Sequence, residues 1–305
     1  MSRVLITGGN GFIGSHLIRG LVVNGITPVV LLRKDSNIER IKSTLSQCEV
    51  VCIENNLLET IEKVSPPDFI VHASTLYKKY DSLREIDEQV RANFLDSIAL
   101  FEWAEQKSVK AFFFMSTFFT DAIEETDGYC KVSNKSFNIY AALKYAVESY
   151  ISKRSFETKA YILKIFTPYG PFDNDKLIMK LIRSEISGGK FEISAPSQGL
   201  DLVYIDNLVD LIVKFIKRPI RGLDVEKIDV GCGKLTSVSE IRGIIKKIVQ
   251  EKKTKSGLSA TDYVEILPPR CNSPKAQVHE QWKDIKLVST EEGLKRTIEW
   301  VFDSE

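Results

Sequence analysis

Short, almost continuous apolar runs recur along the first two-thirds of the chain, and longer segments of helical period separate them. Such a run is typical of a strand in a parallel sheet, because helices cover both faces of that sheet. The runs predict strands at Val4–Ile6, Val29–Leu32, Val50–Ile53, Phe69–His72, Ala111–Met115 and Tyr161–Ile165. The periodic segments predict helices at Ser15–Asn24, Ile86–Lys107 and Tyr140–Lys153. This alternation predicts an α/β fold with a doubly wound parallel sheet.

The rhythm changes after Ile165, where the turn-forming cluster Thr167–Pro171 follows. Beyond it the pattern predicts one helix, Lys176–Ser187, and two strands that return to the sheet, Leu202–Ile205 and Lys227–Val230. We therefore expect a main domain and a smaller C-terminal lobe. The main domain is predicted to comprise residues 1–166 with returning pieces at about 200–234, and the lobe 167–199 and 235–305.

Composition narrows the class of protein. The 305 residues carry 42 Lys and Arg against 41 Asp and Glu, without a basic block, so nothing favours nucleic acid as a partner. No apolar run approaches the roughly 20 residues that a bilayer requires. The first strand begins at Val4, leaving no room for a signal peptide, which predicts a cytoplasmic location. Five scattered cysteines and three distant histidines predict no metal site and no disulfide scaffold.

A glycine-rich turn follows the first strand. Residues Thr7–Gly14 read T-G-G-N-G-F-I-G, with glycines at positions 8, 11 and 14. Glycines at this spacing let the backbone turn tightly, approach a pyrophosphate and pack the next helix against the sheet. The N-terminus of that helix presents free N–H groups and a positive dipole end to phosphates. The turn therefore predicts a dinucleotide site.

The G-x-x-G-x-x-G spacing after Thr7 resembles that of the extended short-chain dehydrogenase/reductases, which include nucleotide-sugar epimerases, dehydratases and reductases with a Rossmann domain. The resemblance covers nearly the whole chain. It implies a homodimer packed through two long helices of the first domain. It also implies cofactor contacts from one set of residues: Gly8, Gly11, Phe12, Ile13, Gly14, Asn56, Leu57, Ala73, Ser74, Asn93 and Ser116.

The end of the second strand bears on which dinucleotide binds. An acidic residue there usually holds the ribose 2′-OH of NAD, but this chain has Arg33 and Lys34. Cations at this place can pair with the 2′-phosphate of NADP, so the sequence favours NADP over NAD. An exposed basic pair without a ligand is the alternative, and Asp35 could still reach the ribose.

Tyr140 and Lys144 lie four residues apart and hence on one face of the predicted helix. A tyrosine is a poor base at neutral pH, and a nearby ammonium stabilises its phenolate. In the family register Thr117 supplies the hydroxyl that polarises the substrate carbonyl, and Ser116 lies nearer the nicotinamide. These roles for Thr117, Tyr140 and Lys144, including a contact of Lys144 with the nicotinamide ribose, rest on the resemblance.

The family's dehydratases carry Asp-Glu directly after the threonine, whereas this chain has Phe118-Phe119. The segment resembles the Ser-Phe-Phe of CDP-abequose and CDP-paratose synthases, which reduce a 4-keto sugar with NADPH, and residues His72–Tyr77 are similar to their H-x-A-T-x-Y. The resemblance implies substrate contacts from Thr75, Thr117, Phe118, Thr167 and Arg270. Thr167 replaces the family's Asn.

We therefore expect an NADP(H)-dependent reductase of a nucleotide-linked 4-keto-hexose in deoxysugar biosynthesis, with a nucleotide-diphosphate sugar as its substrate and no metal. A nucleotide-sugar 4-epimerase with a retained cofactor uses the same residues and is the first alternative. A dinucleotide-sensing regulator without catalysis is the second, which the intact Tyr140 and Lys144 pair disfavours.

Overall fold

The computed structural model describes residues 2–54, 56–78, 82–126, 129–132, 138–154, 157–188, 196–256, 275–277 and 285–304. Among them, seven strands form one sheet in the order β3-β2-β1-β4-β5-β8-β11. Their bounds are β1 Arg3–Thr7, β2 Thr27–Arg33, β3 Glu49–Ile53, β4 Phe69–His72, β5 Ala111–Thr117, β8 Lys159–Ile165 and β11 Val225–Val230. The ladders that join β3 through β8 in this order are all parallel. The predicted doubly wound α/β fold is confirmed.

The remaining strands and the helices complete the described chain. The strands are β6 Ile123–Thr126, β7 Tyr129–Val132, β9 Thr167–Tyr169, β10 Gly199–Tyr204 and β12 Leu235–Ser237. The helices are α1 Phe12–Val23, α2 Leu57–Ile61, α3 Leu83–Val90, α4 Asp96–Gln106, α5 Ile139–Arg154, α6 Leu177–Ser187, α7 Ile205–Lys217, α8 Val238–Ser256 and α9 Thr290–Ser304. Short 3₁₀ turns cover Leu45–Gln47 and Phe118–Ala122, and a π-helix, Arg91–Leu95, joins α3 to α4.

The strand order places a crevice between β1 and β4. The chain runs outward from β1 to β2 and β3 on one side and from β4 to β5 and β8 on the other. Connections from neighbouring strands therefore diverge at this point, and ligands bind in such crevices at the carboxyl ends of the strands. The glycine-rich turn follows β1 and His72 ends β4, so both border the crevice.

The core of the sheet is strongly apolar because helices cover both of its faces. Every residue of β5 is buried, including Phe112, Phe113 and Phe114. Phe112 packs edge-on against Phe101 of α4, and Phe113 stacks on Tyr161 of β8 at 4.9 Å between ring centroids. This packing fixes the end of β5, where Ser116 and Thr117 lie.

The strand expected near Leu202 forms as β10, but it does not return to the main sheet. It pairs with β9 and β12 in a separate three-stranded sheet, so the prediction of two returning strands is correct for β11 and wrong for β10. The buried carboxylate of Asp201 in β10 accepts hydrogen bonds from the N–H groups of Cys232, Gly233 and Ala276. These bonds tie β10 to the turn after β11 and to the segment 275–277, and not to β11 itself.

The chain divides into two compact units. The first contains residues 1–165 and 209–229, and the second contains 166–208 and 230–305. No helix in the described part of the chain has the length and apolar character needed to cross a lipid bilayer.

Candidate active site

The glycine turn after β1 leaves no room for side chains. Gly8 has a φ of +68°, and a Cβ on it would lie 2.7 Å from the backbone N of Ser74. A Cβ on Gly14 would lie 2.2 Å from the carbonyl oxygen of Gly8. The turn closes with a hydrogen bond from the N–H of Gly11 to that same carbonyl, at 3.0 Å. Glycine is therefore required at both places, by conformation at Gly8 and by close approach at Gly14.

Helix α1 begins directly at this turn. Gly11 is its N-cap, no side chain caps this end, and the first turn contains no acidic residue. The positive end of a 12-residue helix thus faces the crevice without a carboxylate of its own. Phe12 is buried at the first helical position and Ile13 is half-buried. A bare glycine turn and an uncapped helix N-terminus fit the pyrophosphate of a dinucleotide.

A chain of buried hydrogen bonds leads away from the turn. Thr7 contacts Nδ1 of His72 at 2.7 Å, and Nε2 of His72 contacts the Ser97 hydroxyl at 2.8 Å. Ser97 donates its only proton to the carbonyl of Asn93, so it accepts from Nε2–H, and Nδ1 accepts from Thr7. Burial, together with the charge of Lys144, lowers the pKa of His72 to about 3, so the ring is neutral.

Asn93 lies in the π-helix and holds the loop after β4. Its Oδ1 accepts hydrogen bonds from the Thr75 hydroxyl at 3.1 Å and from the N–H of Leu76 at 2.8 Å. Its Nδ2 donates to the carbonyl of Leu76 at 2.7 Å. The side chain is fully buried. π-helical turns are frequent at functional sites, and this one presents Asn93 to the loop that borders the crevice.

Two hydroxyl groups meet at Tyr140, the second residue of α5. The hydroxyls of Thr75 and Thr117 lie close enough to its phenol to lower the pKa of Tyr140. The ring of Tyr77 packs edge-on against the Tyr140 ring at 5.4 Å. Burial raises the pKa of Tyr140 to about 12, although both hydroxyls lower it. The phenol of the free protein therefore keeps its proton at neutral pH.

Lys144 is buried one helical turn beyond Tyr140. Its Nζ donates to the carbonyl of Met115 at 2.8 Å and lies 4.5 Å from the ring centroid of Phe114. The same Nζ lies 6.0 Å from the ring centroid of Tyr140. Burial lowers the pKa of Lys144 to about 7, and the charge of Glu148 opposes this effect. The amine is thus poised between its two protonation states near neutral pH.

Glu148 continues the same helix face. Its carboxylate accepts hydrogen bonds from the hydroxyls of Ser116 and Thr120, and burial raises its pKa. Glu148 was not among the residues predicted from the sequence. A signal was present, because Glu148 follows Lys144 at the same four-residue spacing by which Lys144 follows Tyr140.

The end of β5 presents Thr117 and then two aromatic rings. Thr117 is buried, and its Oγ1 accepts a hydrogen bond from the N–H of Phe119 at 3.3 Å. Phe118 and Phe119 are half-buried and pack together at 4.4 Å between centroids. The next acid, Asp121, forms an ion pair with Lys164. No carboxylate therefore occupies either of the two positions after Thr117.

Comparison with known proteins agrees with this geometry. Residues 4–231 match the family described as "NAD dependent epimerase/dehydratase family". The chain belongs to this family. This match confirms the family that the glycine turn and the Tyr-Lys pair predicted, which is a family of enzymes.

Individual relatives of the epimerase/dehydratase family are distant. The chain is 27% identical to the CDP-abequose synthase of Salmonella muenchen over 252 residues, which are 80% of each protein. Its fold is similar to that of a UDP-glucose 4-epimerase from Thermotoga maritima, with a TM-score of 0.78, 22% identity and 99% coverage of both chains. A UDP-glucuronic acid 4-epimerase from Bacillus cereus, solved with UDP-glucuronic acid and NAD, gives a TM-score of 0.76 at 20% identity, covering 99% of this chain and all of that one.

The predicted ribose and adenine contacts of this family member lie at the ends of β2 and β3. Arg33 and Lys34 are exposed, and the charge of Arg33 acts on the half-buried Asp96 at the start of α4. Asn56 caps α2, because its Oδ1 accepts from the N–H of Glu59 at 2.9 Å and its Nδ2 donates to the Glu59 carboxylate. Leu57 is buried behind it.

Other predicted residues are placed as follows. Ala73 and Ser74 lie against Gly8, and the N–H of Ser74 donates to Thr7. The Ser116 hydroxyl is bonded to Glu148, and a contact of Ser116 with nicotinamide stays a prediction. Thr167 is half-buried in β9 of the second unit, and Arg270 lies outside the described residues.

Proposed function

We propose that this protein is an NADP(H)-dependent reductase of a nucleotide-linked 4-keto-hexose. One observation carries the choice of reaction: the Thr117 hydroxyl lies close enough to the Tyr140 phenol to lower its pKa, while phenylalanines fill the two positions after Thr117. Water elimination requires an acid and a base beside the sugar, whereas carbonyl reduction requires one proton donor and one hydrogen-bond donor. Tyr140 and Thr117 supply these two groups.

The cofactor, when bound, supplies the hydride that reduces the sugar C4. Tyr140 gives its proton to the oxygen on which negative charge develops, and Thr117 donates a hydrogen bond to that oxygen. A pKa of about 12 for Tyr140 suits an acid that must hold its proton until that charge appears. Lys144, in its protonated state, lowers the cost of the phenolate that remains.

NADP is the proposed cofactor, on the support of Arg33 and Lys34 at the end of β2. The similar epimerase from Bacillus cereus was solved with NAD, so the preference for NADP is tested by experiment. Thermal unfolding with NADPH and with NADH tests it, because a ligand that binds the folded state raises its stability. We expect a larger rise with NADPH, and a reversed order in Arg33→Asp. Equal rises with both cofactors, unchanged in Arg33→Asp, would remove the NADP argument.

A nucleotide-diphosphate sugar is the proposed substrate, and the CDP-abequose synthase relative supports this class. Thr75, Phe118, Thr167 and Arg270 are proposed to contact it. The second candidate is a 4-epimerase that retains its cofactor, which the two similar epimerase structures favour.

Loss of absorbance from NADPH in the presence of a 4-keto nucleotide sugar tests the reductase. We expect one NADPH consumed for each sugar reduced, a loss of roughly 100-fold or more in kcat for Tyr140→Phe, and no change for Tyr150→Phe. Tyr150 is a matched control, since it lies on the same helix but bonds Glu102 at 2.7 Å. Conversion of a nucleotide sugar to its 4-epimer without net NADPH consumption favours the second candidate. Cofactor binding without turnover of either substrate favours a sensor.

A further inference from the structure

Glu148 is a buried carboxyl group that the proposed reaction does not use. The residue is 2% exposed, and it lies on α5 one helical turn beyond Lys144 and two turns beyond Tyr140. A buried carboxyl group lowers the stability of a fold unless hydrogen bonds satisfy it. The hydrogen-bond partners of Glu148 therefore indicate what this group does.

The partners of Glu148 come from both sides of Thr117. The Ser116 hydroxyl donates to Oε1 of Glu148, and the Thr120 hydroxyl donates to the same oxygen at 3.1 Å. Ser116 is the residue before Thr117 in β5, and Thr120 follows it in the 3₁₀ turn. Both are buried, so the loss of their acceptor would be costly. One oxygen of α5 thus holds the chain before and after Thr117.

The segment that Glu148 holds closes on Thr117 itself. The Thr120 hydroxyl also lies 2.9 Å from the carbonyl oxygen of Thr117, and the N–H of Phe119 donates to Thr117 Oγ1 at 3.3 Å. A hydroxyl group has one proton to donate and accepts through its lone pairs. Because Thr117 Oγ1 is the acceptor in the contact with Phe119, its own proton is left for a bond that Thr117 donates. The proposed reaction requires such a donor.

Thr117 and Tyr140 belong to different elements, although the proposed reaction brings both to one substrate oxygen. Their relative position depends on the bonds that join β5 to α5. Lys144 supplies one, from its Nζ to the Met115 carbonyl at 2.8 Å, at a point two residues before Thr117. Glu148 adds bonds on either side of Thr117. Reacting groups must be held to within about 0.5 Å of the productive geometry, so these bonds bear on the rate.

We propose that Glu148 is a positioning residue for Thr117, whose carboxyl oxygen holds the segment Ser116–Thr120 against α5 and thereby fixes Thr117 relative to Tyr140. Glu148 exchanges no proton in this role, since it only accepts hydrogen bonds. It acts on the substrate through Thr117 alone. The kinetic effect rests on the proposed reductase function, but the effect on the segment does not.

The charge of Glu148 is a separate effect, because it opposes the lowering of the pKa of Lys144 by burial. Glu148→Gln and Glu148→Leu both remove this charge, so its loss affects Lys144 equally in the two variants. Gln keeps an oxygen that accepts from Ser116 and Thr120, whereas Leu has no acceptor. The difference between the two variants therefore reports on the hydrogen bonds and not on the charge.

Deuterium exchange of the Phe119 amide, followed by NMR, measures whether the segment holds Thr117, because this N–H donates to Thr117 Oγ1. We expect exchange roughly tenfold faster in Glu148→Leu than in the wild type, about the strength of one or two hydrogen bonds. In Glu148→Gln we expect exchange close to the wild-type rate.

Two controls separate this effect from a general loosening of the fold. The Leu76 amide donates to Asn93 at 2.8 Å and should exchange at the wild-type rate in both Glu148 variants. Asp121→Asn removes a different tie of the same 3₁₀ turn, the partly exposed ion pair with Lys164. Because such pairs contribute little to stability, the Phe119 amide should stay protected in Asp121→Asn.

Three results of the exchange experiment overturn the proposal. The first is an unchanged rate at Phe119 in Glu148→Leu. The second is equal acceleration in Glu148→Leu and Glu148→Gln, which assigns the effect to charge. The third is equal acceleration of the Phe119 and Leu76 amides, which shows a general loss of stability. If circular dichroism shows that Glu148→Leu does not fold, Thr120→Val removes one of the two hydroxyls at nearly constant volume, and the same expectation and the same three results apply to it.

Kinetics with a 4-keto nucleotide sugar supply the second measurement. We expect kcat of Glu148→Leu to lie roughly tenfold below that of Glu148→Gln at equal KM, because the lost bonds hold a group that acts in the transition state. Equal kcat values overturn the proposal, and so does a difference in KM alone, which assigns Glu148 to substrate binding. If the wild type turns over no such sugar, the reductase function fails, and the amide exchange still decides whether Glu148 holds Thr117.

Discussion

Lys144 carries an ionisable amine in a buried position. Its side chain is 1% exposed, and its Nζ has a backbone carbonyl and an aromatic ring as neighbours. A buried cation of this kind is held in place by the rest of the fold and costs it stability. Lys144, the proposed tuning residue for Tyr140, is thus expected to destabilise the folded state when it is charged.

Lys144→Met is therefore predicted to stabilise the protein while it abolishes catalysis. The pKa is about 7 in the folded state and near 10.5 when unfolded, so between these pH values the unfolded state binds more protons. Stability of the wild type accordingly rises with pH across this window, and the full penalty remains below pH 7. We expect Lys144→Met to be more stable by roughly 2 to 4 kcal/mol at pH 7, with the gap closing towards pH 10.5. Urea unfolding across this pH range measures it.

Lys159 provides the matched control. It is buried to the same extent, but it forms ion pairs with Asp224 and Glu226 at 2.7 and 2.8 Å, and its pKa is raised. Its stabilising effect is present below the unfolded pKa and is lost as pH rises through the folded one. We expect Lys159→Met to lose about 1 to 3 kcal/mol at pH 7. A loss of stability in both variants would contradict the account of Lys144.

The sequence was sufficient to find residues that local spacing brings together and insufficient for those that the fold brings together. Tyr140 and Lys144 share a helix face by spacing alone, and Thr117 is fixed by the end of an apolar strand. The Thr75 hydroxyl, for example, bonds Asn93, which lies 18 positions further along the chain. A threonine in a loop has no local pattern that identifies acceptors at such distances.

At the scale of elements, the glycine turn depends on two separate constraints. Gly8 has a left-handed backbone and also lies against Ser74, whereas Gly25 has nearly the same φ, +69°, with open space around it. Gly25→Ala therefore introduces only the backbone strain of a left-handed alanine. We expect this strain to lower the stability by about 1 kcal/mol and to leave NADPH binding intact. Gly8→Ala adds a clash with backbone atoms at 2.7 to 2.9 Å, so it should lose more stability and the thermal shift with NADPH.

Denaturant unfolding of the two alanine variants, with and without NADPH, separates these effects. Equal losses of stability, with cofactor binding retained by both, would show that the contact with Ser74 does not limit this turn. Ser74 follows β4, the strand across the crevice from β1, so the comparison also tests the contact between the two borders of the crevice.

Strands were easier to predict than their partners. Every apolar run expected to be a strand forms one, but β10 pairs with β9 and β12 where the main sheet was expected. Burial determines the apolar pattern, while the pairing partner depends on distant segments such as the turn that Asp201 holds. The helical period also did not predict the π-helix inside the predicted helix Ile86–Lys107, since the π-helix adds a single residue to one turn of a segment that is otherwise helical throughout.

At the scale of the whole molecule, the first unit is not continuous in sequence. Residues 209–229 join residues 1–165, and they contribute most of α7 and nearly all of β11. Phe215 of α7 is 1% exposed and packs against Tyr161 at 4.5 Å and Phe113 at 6.2 Å between ring centroids. The seven-stranded sheet is thus completed only after the chain has passed through part of the second unit.

Phe215→Ala is predicted to lose about 3 to 5 kcal/mol, because it opens a cavity beside two buried aromatic rings. Phe302 of α9 is a control of equal size that is only half-buried, and its replacement should cost less than half as much. Thermal and urea unfolding measure both. If the Phe215 and Phe302 variants lost similar amounts of stability, the packing of residues 209–229 would contribute little to the stability of the first unit.

The π-helix between α3 and α4 also determines which changes of chain length the protein can tolerate. Each residue of a helix advances the next by about 100°, so deletion of one residue within Arg91–Leu95 would convert the wide turn to an ordinary one and rotate α3 relative to α4 by about that angle. Asn93 would then turn away from Leu76 and Thr75. A substitution in this turn changes one contact, whereas a deletion of one codon changes the register of a whole helix. The turn at Asn24-Gly25, where Gly25 is exposed and Asn24 half-buried, should accept the same deletion with far less effect on the active site.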